Sequence, residues 1–177
     1  HLLIGPKGIR TINNANELAH YEYGANLASR CILNAMNQLK IGMRETEIGA
    51  LLSDEGQAHF VITIAAAGER FENANFYPTY KKIKFGEAIS MTTGFKGGLS
   101  SRTGFLINEE RELPENQKDY LERVVIPYYK AIVAWLENIS LGMLGGELYE
   151  IIDKTLPKAS YHWHLNPGHF VADEEWM

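Results

Sequence analysis

The chain has 177 residues, of which 45% are hydrophobic and 22% are charged, and its formal net charge is −5. This composition is typical of a globular protein and excludes the basic surface that nucleic-acid binding requires, and no apolar run approaches the roughly 18 residues of a membrane span. The single cysteine, Cys31, excludes an internal disulfide and is typical of a reducing compartment, so we expect a cytoplasmic protein with no nucleic-acid or membrane partner.

The first predicted element is a helix over residues 16–40, because apolar side chains recur there at alternating spacings of three and four. Asn14 and Glu17 resemble a capping box at its start, and Gly42 follows its end. Cys31 lies within this pattern, which indicates a buried structural thiol. The apolar stripe comprises Leu18, Tyr21, Ala25, Ala28, Ile32, Ala35 and Leu39.

The remaining elements follow from periodicity, β-branched content and turn residues. The segment "FVITIAAA" is apolar and β-branched, as is typical of a strand, and a loop rich in aromatic residues follows it. Pro127 lies inside the long apolar segment after Pro114, so we expect a kink or a break there. In chain order the predicted elements are a short helix over about 45–55, a strand over 60–67, hairpin strands over about 88–95 and 99–107, a helix over about 114–139, a short helix over 146–154 and a strand near 160–165.

Two segments that lie 100 residues apart resemble each other. "IGMRETEIGALL" at 41–52 aligns with "LGMLGGELYEII" at 141–152. In both segments a long helix ends, an apolar residue, Gly and Met follow, and a glutamate lies at the start of an apolar helix. This shared context predicts a duplicated helix–helix–strand unit. Two such units would place a concave sheet face, a natural ligand site, between the two halves.

Taken in order, the motifs of the chain resemble those of a known family. They are "GMRETEIGALL", "AAGERFENANFYP", "KIKFGEAISMTTGFKGGLSSRTG" and "LNPGH". In this order, and with the internal repeat, the chain is similar to the pita-bread family of methionine aminopeptidase, prolidase, aminopeptidase P and creatinase. Within that family it is most similar to Xaa-Pro dipeptidases and aminopeptidase P. The resemblance covers about residues 9–172 and implies an α+β pita-bread fold and a hydrolase that cleaves a peptide or amidine C–N bond of a small substrate.

We expect one pita-bread domain over residues 1–177, with repeat halves of about 9–108 and 109–177. From its Gly-Met motif to the end of the hairpin the first half has 67 residues (41–107), whereas the second half has 37 from its own motif (141–177). The second half is therefore expected to be incomplete. This predicts either a fragment that is itself inactive or a homo-oligomer whose partner completes the sheet, because unpaired edge strands favour association.

The resemblance also implies a set of metal ligands. Metal-dependent members of the family hold two divalent cations with two aspartates, one histidine and two glutamates. The first aspartate position falls on Thr92, and the second falls among residues 99–102. The family's histidine matches His169, and the two glutamates would lie beyond Met177. A substrate-contacting histidine of the family falls on Asn75.

The hairpin carries hydroxyl groups where a dinuclear metal site needs carboxylates. No Asp or Glu lies between Glu87 and Glu109. Two divalent ions a few ångströms apart require anionic ligands, and neutral hydroxyls are poor substitutes, so we expect no metal at the family's dinuclear site. The alternative is a single divalent ion, such as Zn²⁺, near His162, His164 and His169, because the first two share a face if their segment is a strand.

Three functions remain open at this point. The first is metal-free hydrolysis, as in creatinase, with His169 as the general acid or base. The second is a non-catalytic binding or scaffold module, and the third is a metallopeptidase with unusual ligands. No serine has the nucleophile-elbow context, so covalent catalysis has little support. For the first function, Arg102 could clamp an acid group of a small peptide or amide substrate. The residues predicted to contact this substrate are Asn75, Thr92, Thr93, Ser100, Ser101 and Arg102.

Overall fold

The computed structural model describes residues 8–9, 12–163 and 166–168 of the chain. Helices and strands alternate in its first part, and helices alone follow in the remainder of the described residues. In chain order the elements are α1 (Ala15–Gln38), α2 (Glu45–Leu51), β1 (His59–Ala67), α3 (Glu69–Asn73), β2 (Ala88–Phe95), β3 (Gly98–Phe105), 3₁₀ turns at Glu110–Glu112 and Glu115–Gln117, a π-helical segment (Leu121–Val125), α4 (Ile126–Asn138), α5 (Gly145–Thr155) and α6 (Lys158–Tyr161).

The described residues divide into two compact units, the first up to Glu112 and the second from Leu113. The interpretation as a single domain, with repeat halves of about 9–108 and 109–177, stays a prediction. None of the helices in the described part of the chain combines the length and the hydropathy that crossing a lipid bilayer requires.

The first helix, α1, begins with the predicted capping box. The Asn14 side chain accepts hydrogen bonds from two N–H groups of the first turn, and the Asn14 N–H donates to the Glu17 carboxylate at 2.6 Å. The predicted apolar stripe is correct only in part, because Leu18 is exposed. Gly24, which is not part of that stripe, is buried against the hairpin, where its lack of a side chain permits close approach. The buried residues of α1 are Gly24, Leu27, Ala28, Cys31, Ile32 and Ala35.

The three strands form an antiparallel sheet in the order β1-β2-β3. Residues 96–97 join β2 to β3, and Gly97 has a φ of 87°, which glycine adopts without strain. This turn lies directly against α1, because a Cβ atom on Gly98 would overlap the backbone of Ala25. The hairpin and the helix therefore meet backbone to backbone, and this contact fixes the position of the hairpin.

The two faces of the sheet have different environments, because successive side chains of a strand point to opposite sides. One side, which we call the helix face, packs against α1 and α2. The other side is called the hydroxyl face below. The apolar core of the helix face contains Ile32, Ala35, Ile48, Leu52, Ala65, Ala67, Ile83, Ile89, Met91 and Leu106.

The prediction of one helix over about 114–139 is wrong in its first half. A 3₁₀ turn and the π-helical segment precede α4, and Pro127 lies in the first turn of α4. Proline has no N–H to donate and fits the first turn of a helix, so the regular α-helical pattern begins there rather than continuing through it. The core between α4 and α5 is formed by Ala131, Leu148 and Ile152.

Two further boundaries differ from prediction. The second helix ends at Leu51 rather than near residue 55, since the backbone leaves the helical conformation at Leu52, and a separate turn follows at Glu55 and Gly56, whose φ angles are 53° and 65°. The strand predicted near 160–165 is wrong at its start, where α6 follows Pro157 and ends at His162 in a left-handed conformation with a φ of 51°. Proline favours a helix start, so a helix forms after Pro157 where a strand was predicted.

The two similar segments have the same local geometry at the offset of 100 residues. Gly42 and Gly142 follow the ends of α1 and α4 with φ angles of 90° and 87°, a conformation that favours glycine. In each copy a glutamate, Glu47 or Glu147, accepts a hydrogen bond from the N–H group three residues earlier, at 2.6 and 2.9 Å. The predicted internal repeat is therefore confirmed in its helix–turn–helix part.

Candidate functional site

The centre of the hairpin carries two hydroxyl groups that face each other. Thr92 on β2 and Ser101 on β3 are register partners, and their side-chain oxygens lie 2.8 Å apart. Ser101 donates its proton to the Met91 carbonyl at 3.3 Å, so in this pair Thr92 is the donor. Thr92 is only 7% exposed, whereas Ser101 is exposed. A ligand would therefore reach the pair from the side of Ser101.

The strand residues next to this pair on the hydroxyl face are uncharged. The next register pair of the hairpin is Ser90 and Thr103, and Ile64 of β1 lies opposite Thr92. Among the described residues, no group of three or more His, Cys, Asp and Glu side chains is placed so that it could hold a metal ion. The oxygen donors that β2 and β3 contribute to this face are thus neutral hydroxyl and backbone groups.

Strand alternation divides the predicted substrate-binding residues between the two faces. Thr93 lies on the helix face, where its fully buried hydroxyl donates to a main-chain carbonyl after α2 at 2.8 Å. Ser100 is the register partner of Thr93, and Arg102 is two residues further along the same side of β3. The structure therefore brings Thr92 together with Ser101 and directs the other three residues to the opposite side.

Arg102 lines a cavity of about 560 Å³ on the helix face. Its guanidinium donates to the Ser101 carbonyl at 2.6 Å. Its lining combines apolar residues, among them Met36, Leu39 and Met91, with the polar residues Lys40, Thr103 and Asn108. Neither Thr92 nor Ser101 is among the residues that line this cavity.

Asn75 is exposed in the segment that connects α3 to Pro78. A residue that the sequence analysis missed, Glu45 at the start of α2, fixes both ends of this segment. Its side chain is fully buried. The Glu45 carboxylate accepts four hydrogen bonds, from the Ala67 N–H at 3.0 Å, the Arg70 Nε at 3.1 Å, the Thr79 N–H at 3.0 Å and the Thr79 hydroxyl at 2.6 Å.

The sequence contained a signal for this buried carboxylate. Glu45 precedes Ile48 and Leu52 by three and seven residues, which places all three side chains on one helical face. A carboxylate on an apolar face requires hydrogen-bond donors, which the following loop supplies here. The second repeat has Gly145 at the corresponding position, so this anchor belongs to the first repeat alone.

The sequence of the chain matches the model of a protein family. The model of metallopeptidase family M24 matches residues 19–173, a range that includes both repeat segments and the hairpin. The chain belongs to metallopeptidase family M24. Membership in M24 confirms the family predicted from the sequence.

Solved structures confirm the predicted pita-bread fold of this M24 chain. The Xaa-Pro dipeptidase from Bacillus anthracis matches with a TM-score of 0.78 and 17% identity over 94% of this chain and 48% of its own. The prolidase from Pyrococcus horikoshii matches with a TM-score of 0.76 and 23% identity over 96% of this chain and 50% of its own. The aminopeptidase PepP from Pseudomonas aeruginosa matches with a TM-score of 0.69 and 22% identity over 83% of this chain and 34% of its own. The M24 chain thus spans about half the length of the first two proteins, and no curated protein sequence matches it.

The histidines predicted for the M24 site are only partly covered by the structure. His164 and His169 lie outside the described residues. His162 is exposed at the end of α6, so the strand that was expected to direct His162 and His164 to one side is absent at His162. The catalytic role of His169 and the alternative single-metal site stay predictions.

Proposed function

We propose that this M24 protein is a metal-independent member of its family that acts on a C–N bond of a small peptide or amide, as an Xaa-Pro peptidase or a creatinase-type hydrolase. The observation that carries the proposal is the Thr92–Ser101 pair. It occupies the hairpin where the family resemblance places the two aspartates, and it consists of two hydroxyls hydrogen-bonded to each other at 2.8 Å.

The donor chemistry of this pair does not fit two divalent cations. At an effective dielectric constant of about 20, two doubly charged ions about 3.5 Å apart repel each other by roughly 20 kcal/mol. Carboxylates offset this repulsion with their own charge. Thr92 and Ser101 carry none, and their hydroxyls are neutral at any physiological pH. We therefore infer that the dinuclear centre does not form on this hairpin.

The same hydroxyls suit an uncharged polar ligand. Ser101 is exposed and can turn its proton from the Met91 carbonyl, a long contact of 3.3 Å, to a substrate carbonyl. Thr92 then holds Ser101 in place from the buried side. In this proposal His169 supplies or removes the proton at the scissile bond, and Thr93, Ser100 and Arg102 do not contact the substrate on this face.

A second candidate is a non-catalytic module that binds a peptide without cleaving it. One observation favours it: β2 and β3 contribute no titratable side chain to the hydroxyl face, so proton transfer depends wholly on a residue from elsewhere. The expectation of a homo-oligomer also stays a proposal. It is supported by β3, which pairs only with β2 among the described residues, and light scattering in solution would test it.

The experiment that tests the proposed function incubates the protein with a panel of Xaa-Pro dipeptides, with Mn²⁺ and with a chelator. We expect cleavage that is equal in both conditions and is lost in His169→Gln. Ser101→Ala should weaken substrate binding, whereas the matched change Ser160→Ala, on α6, should not. Binding without cleavage would favour the non-catalytic module. Cleavage that requires Mn²⁺ would contradict the proposal.

A further inference from the structure

A serine and a histidine form a close pair on the helix-facing side of β1, away from the Thr92–Ser101 pair. Ser53 follows the end of α2, and His59 is the first residue of β1. The Ser53 Oγ lies 2.7 Å from the His59 Nε2. Ser53 is exposed, and the imidazole is half-buried. A small molecule can therefore reach the hydroxyl without displacing the ring.

The partners of the other ring nitrogen determine the tautomer of His59. Thr93 Oγ1 lies 3.2 Å from the His59 Nδ1 and also donates its single proton to the Leu52 carbonyl at 2.8 Å. Since a hydroxyl has one proton to donate, Thr93 must accept from His59, and Nδ1 carries the proton. Thr63 Oγ1, at 3.4 Å, is a second acceptor on the same side.

This assignment leaves the Nε2 of His59 as a free base that accepts the proton of Ser53. Serine, neutral imidazole and an acceptor behind the imidazole then lie in one hydrogen-bonded chain. A base that is held in the right tautomer by a third group is the arrangement that activates a serine nucleophile. The third group here is the Thr93 hydroxyl, which orients the ring without adding a negative charge.

The surroundings of His59 favour its neutral form. Burial lowers the pKa of the imidazole below its ordinary value, and the ring stacks on Phe95 with centroids 4.9 Å apart. The nearest charged residues of the same turn are Asp54 and Glu55. Both are ion-paired with Arg30 of α1, at 2.9 and 2.6 Å. The base form of His59 is therefore available at neutral pH.

We propose that Ser53 and His59 form a second, nucleophilic site that accepts acyl groups from small esters. Ser53 Oγ attacks the ester carbonyl carbon, and its proton moves to the His59 Nε2. The bond between that carbon and the leaving oxygen then breaks, and the leaving oxygen takes the proton from Nε2 as an alcohol. Water, deprotonated by the same nitrogen, attacks the acyl carbon, the bond from that carbon to Ser53 Oγ breaks, and Oγ takes the proton back from Nε2 as the acid is released. This site is independent of the proposed function and of His169.

The test uses the whole chain and p-nitrophenyl acetate, with nitrophenol release followed by absorbance and the acetyl group located by peptide mass mapping. We expect acetylation at Ser53 and its loss in Ser53→Ala. His59→Gln should slow acetylation of Ser53 by at least about 100-fold, the usual contribution of a general base. The rate should also rise through an inflection below the ordinary imidazole value of about 6.5. Ser160→Ala, which removes an exposed serine elsewhere, is the matched control and should react as the wild type does.

Three results would overturn this proposal. One is acetylation of the wild type only at other residues. Another is nitrophenol release in Ser53→Ala at the wild-type rate. The third is acetylation of Ser53 that persists undiminished in His59→Gln. Far-UV circular dichroism of each variant verifies that it is folded, which is expected for Ser53→Ala because this side chain is exposed.

Discussion

Replacing Glu45 with alanine should destabilise the protein strongly. The Glu45 side chain is fully buried and accepts four hydrogen bonds, three of them from the segment that contains Arg70 and Thr79. Removing the carboxylate leaves the Ala67 N–H buried without an acceptor, which costs about 1–3 kcal/mol. It also removes the ion pair of Arg70, which keeps its hydrogen bond to the Tyr77 carbonyl, and water can partly replace the lost contact because the Arg70 side chain is 31% exposed. Together we expect a loss of about 3–5 kcal/mol in the free energy of unfolding.

The assay is urea denaturation followed by far-UV circular dichroism, with amide hydrogen exchange at Thr79 as a local measure. Glu45→Gln keeps the size and one acceptor oxygen but turns an NH₂ group toward donors, so we expect a smaller loss of about 2–3 kcal/mol. Glu22→Gln, on an exposed side chain in the middle of α1, is the control and should change stability by less than about 0.5 kcal/mol. If Glu45→Ala is within about 1 kcal/mol of the wild type, Glu45 is not the anchor of the loop.

Three further outcomes are expected. Thr93→Val should lower the free energy of unfolding by about 1–3 kcal/mol in urea, because it leaves a buried carbonyl without its donor, and an unchanged midpoint would refute that reading. Gly98→Ala should lower the free energy of unfolding by about 1–3 kcal/mol or more, since the added Cβ would overlap Ala25. Gly104→Ala is the control and should have no such effect, because there is open space around Gly104. Equal effects of the two changes would disprove the close contact. Burial lowers the pKa of His59, so the unfolded state binds the proton more readily than the folded state. The free energy of unfolding should therefore fall as the pH drops below about 6.5. In His59→Gln this part of the pH dependence should vanish when stability is measured between about pH 7.5 and pH 5.5.

Local sequence signals predicted the elements whose structure depends on near neighbours. The capping box at Asn14, the hairpin around Gly97 and the turn at Gly42 each depend on residues within a few positions, and all are present. The buried position of Cys31 was also predicted correctly, and burial raises the pKa of its thiol. These features follow from propensity and periodicity alone.

The composition of the candidate site depended on tertiary placement and was harder to predict. Sequence proximity grouped Thr92, Thr93, Ser100 and Ser101, but only the register of β2 against β3 shows which hydroxyls meet. The chain of bonds from Ser53 to His59 and Thr93 joins residues up to 40 positions apart, so no short motif contains it. The helix α6 was not predicted, although Pro157 directly before it is typical of a helix start.

The proposed function requires that the Thr92–Ser101 hairpin of this M24 protein does not hold two metal ions. Isothermal titration calorimetry of the purified protein with Mn²⁺ and with Zn²⁺ measures this directly, together with Thr92→Val, which replaces the hydroxyl with a methyl group. We expect no two-ion binding in the wild type and no change in metal binding in Thr92→Val. Two bound ions per chain whose affinity falls in Thr92→Val would contradict it.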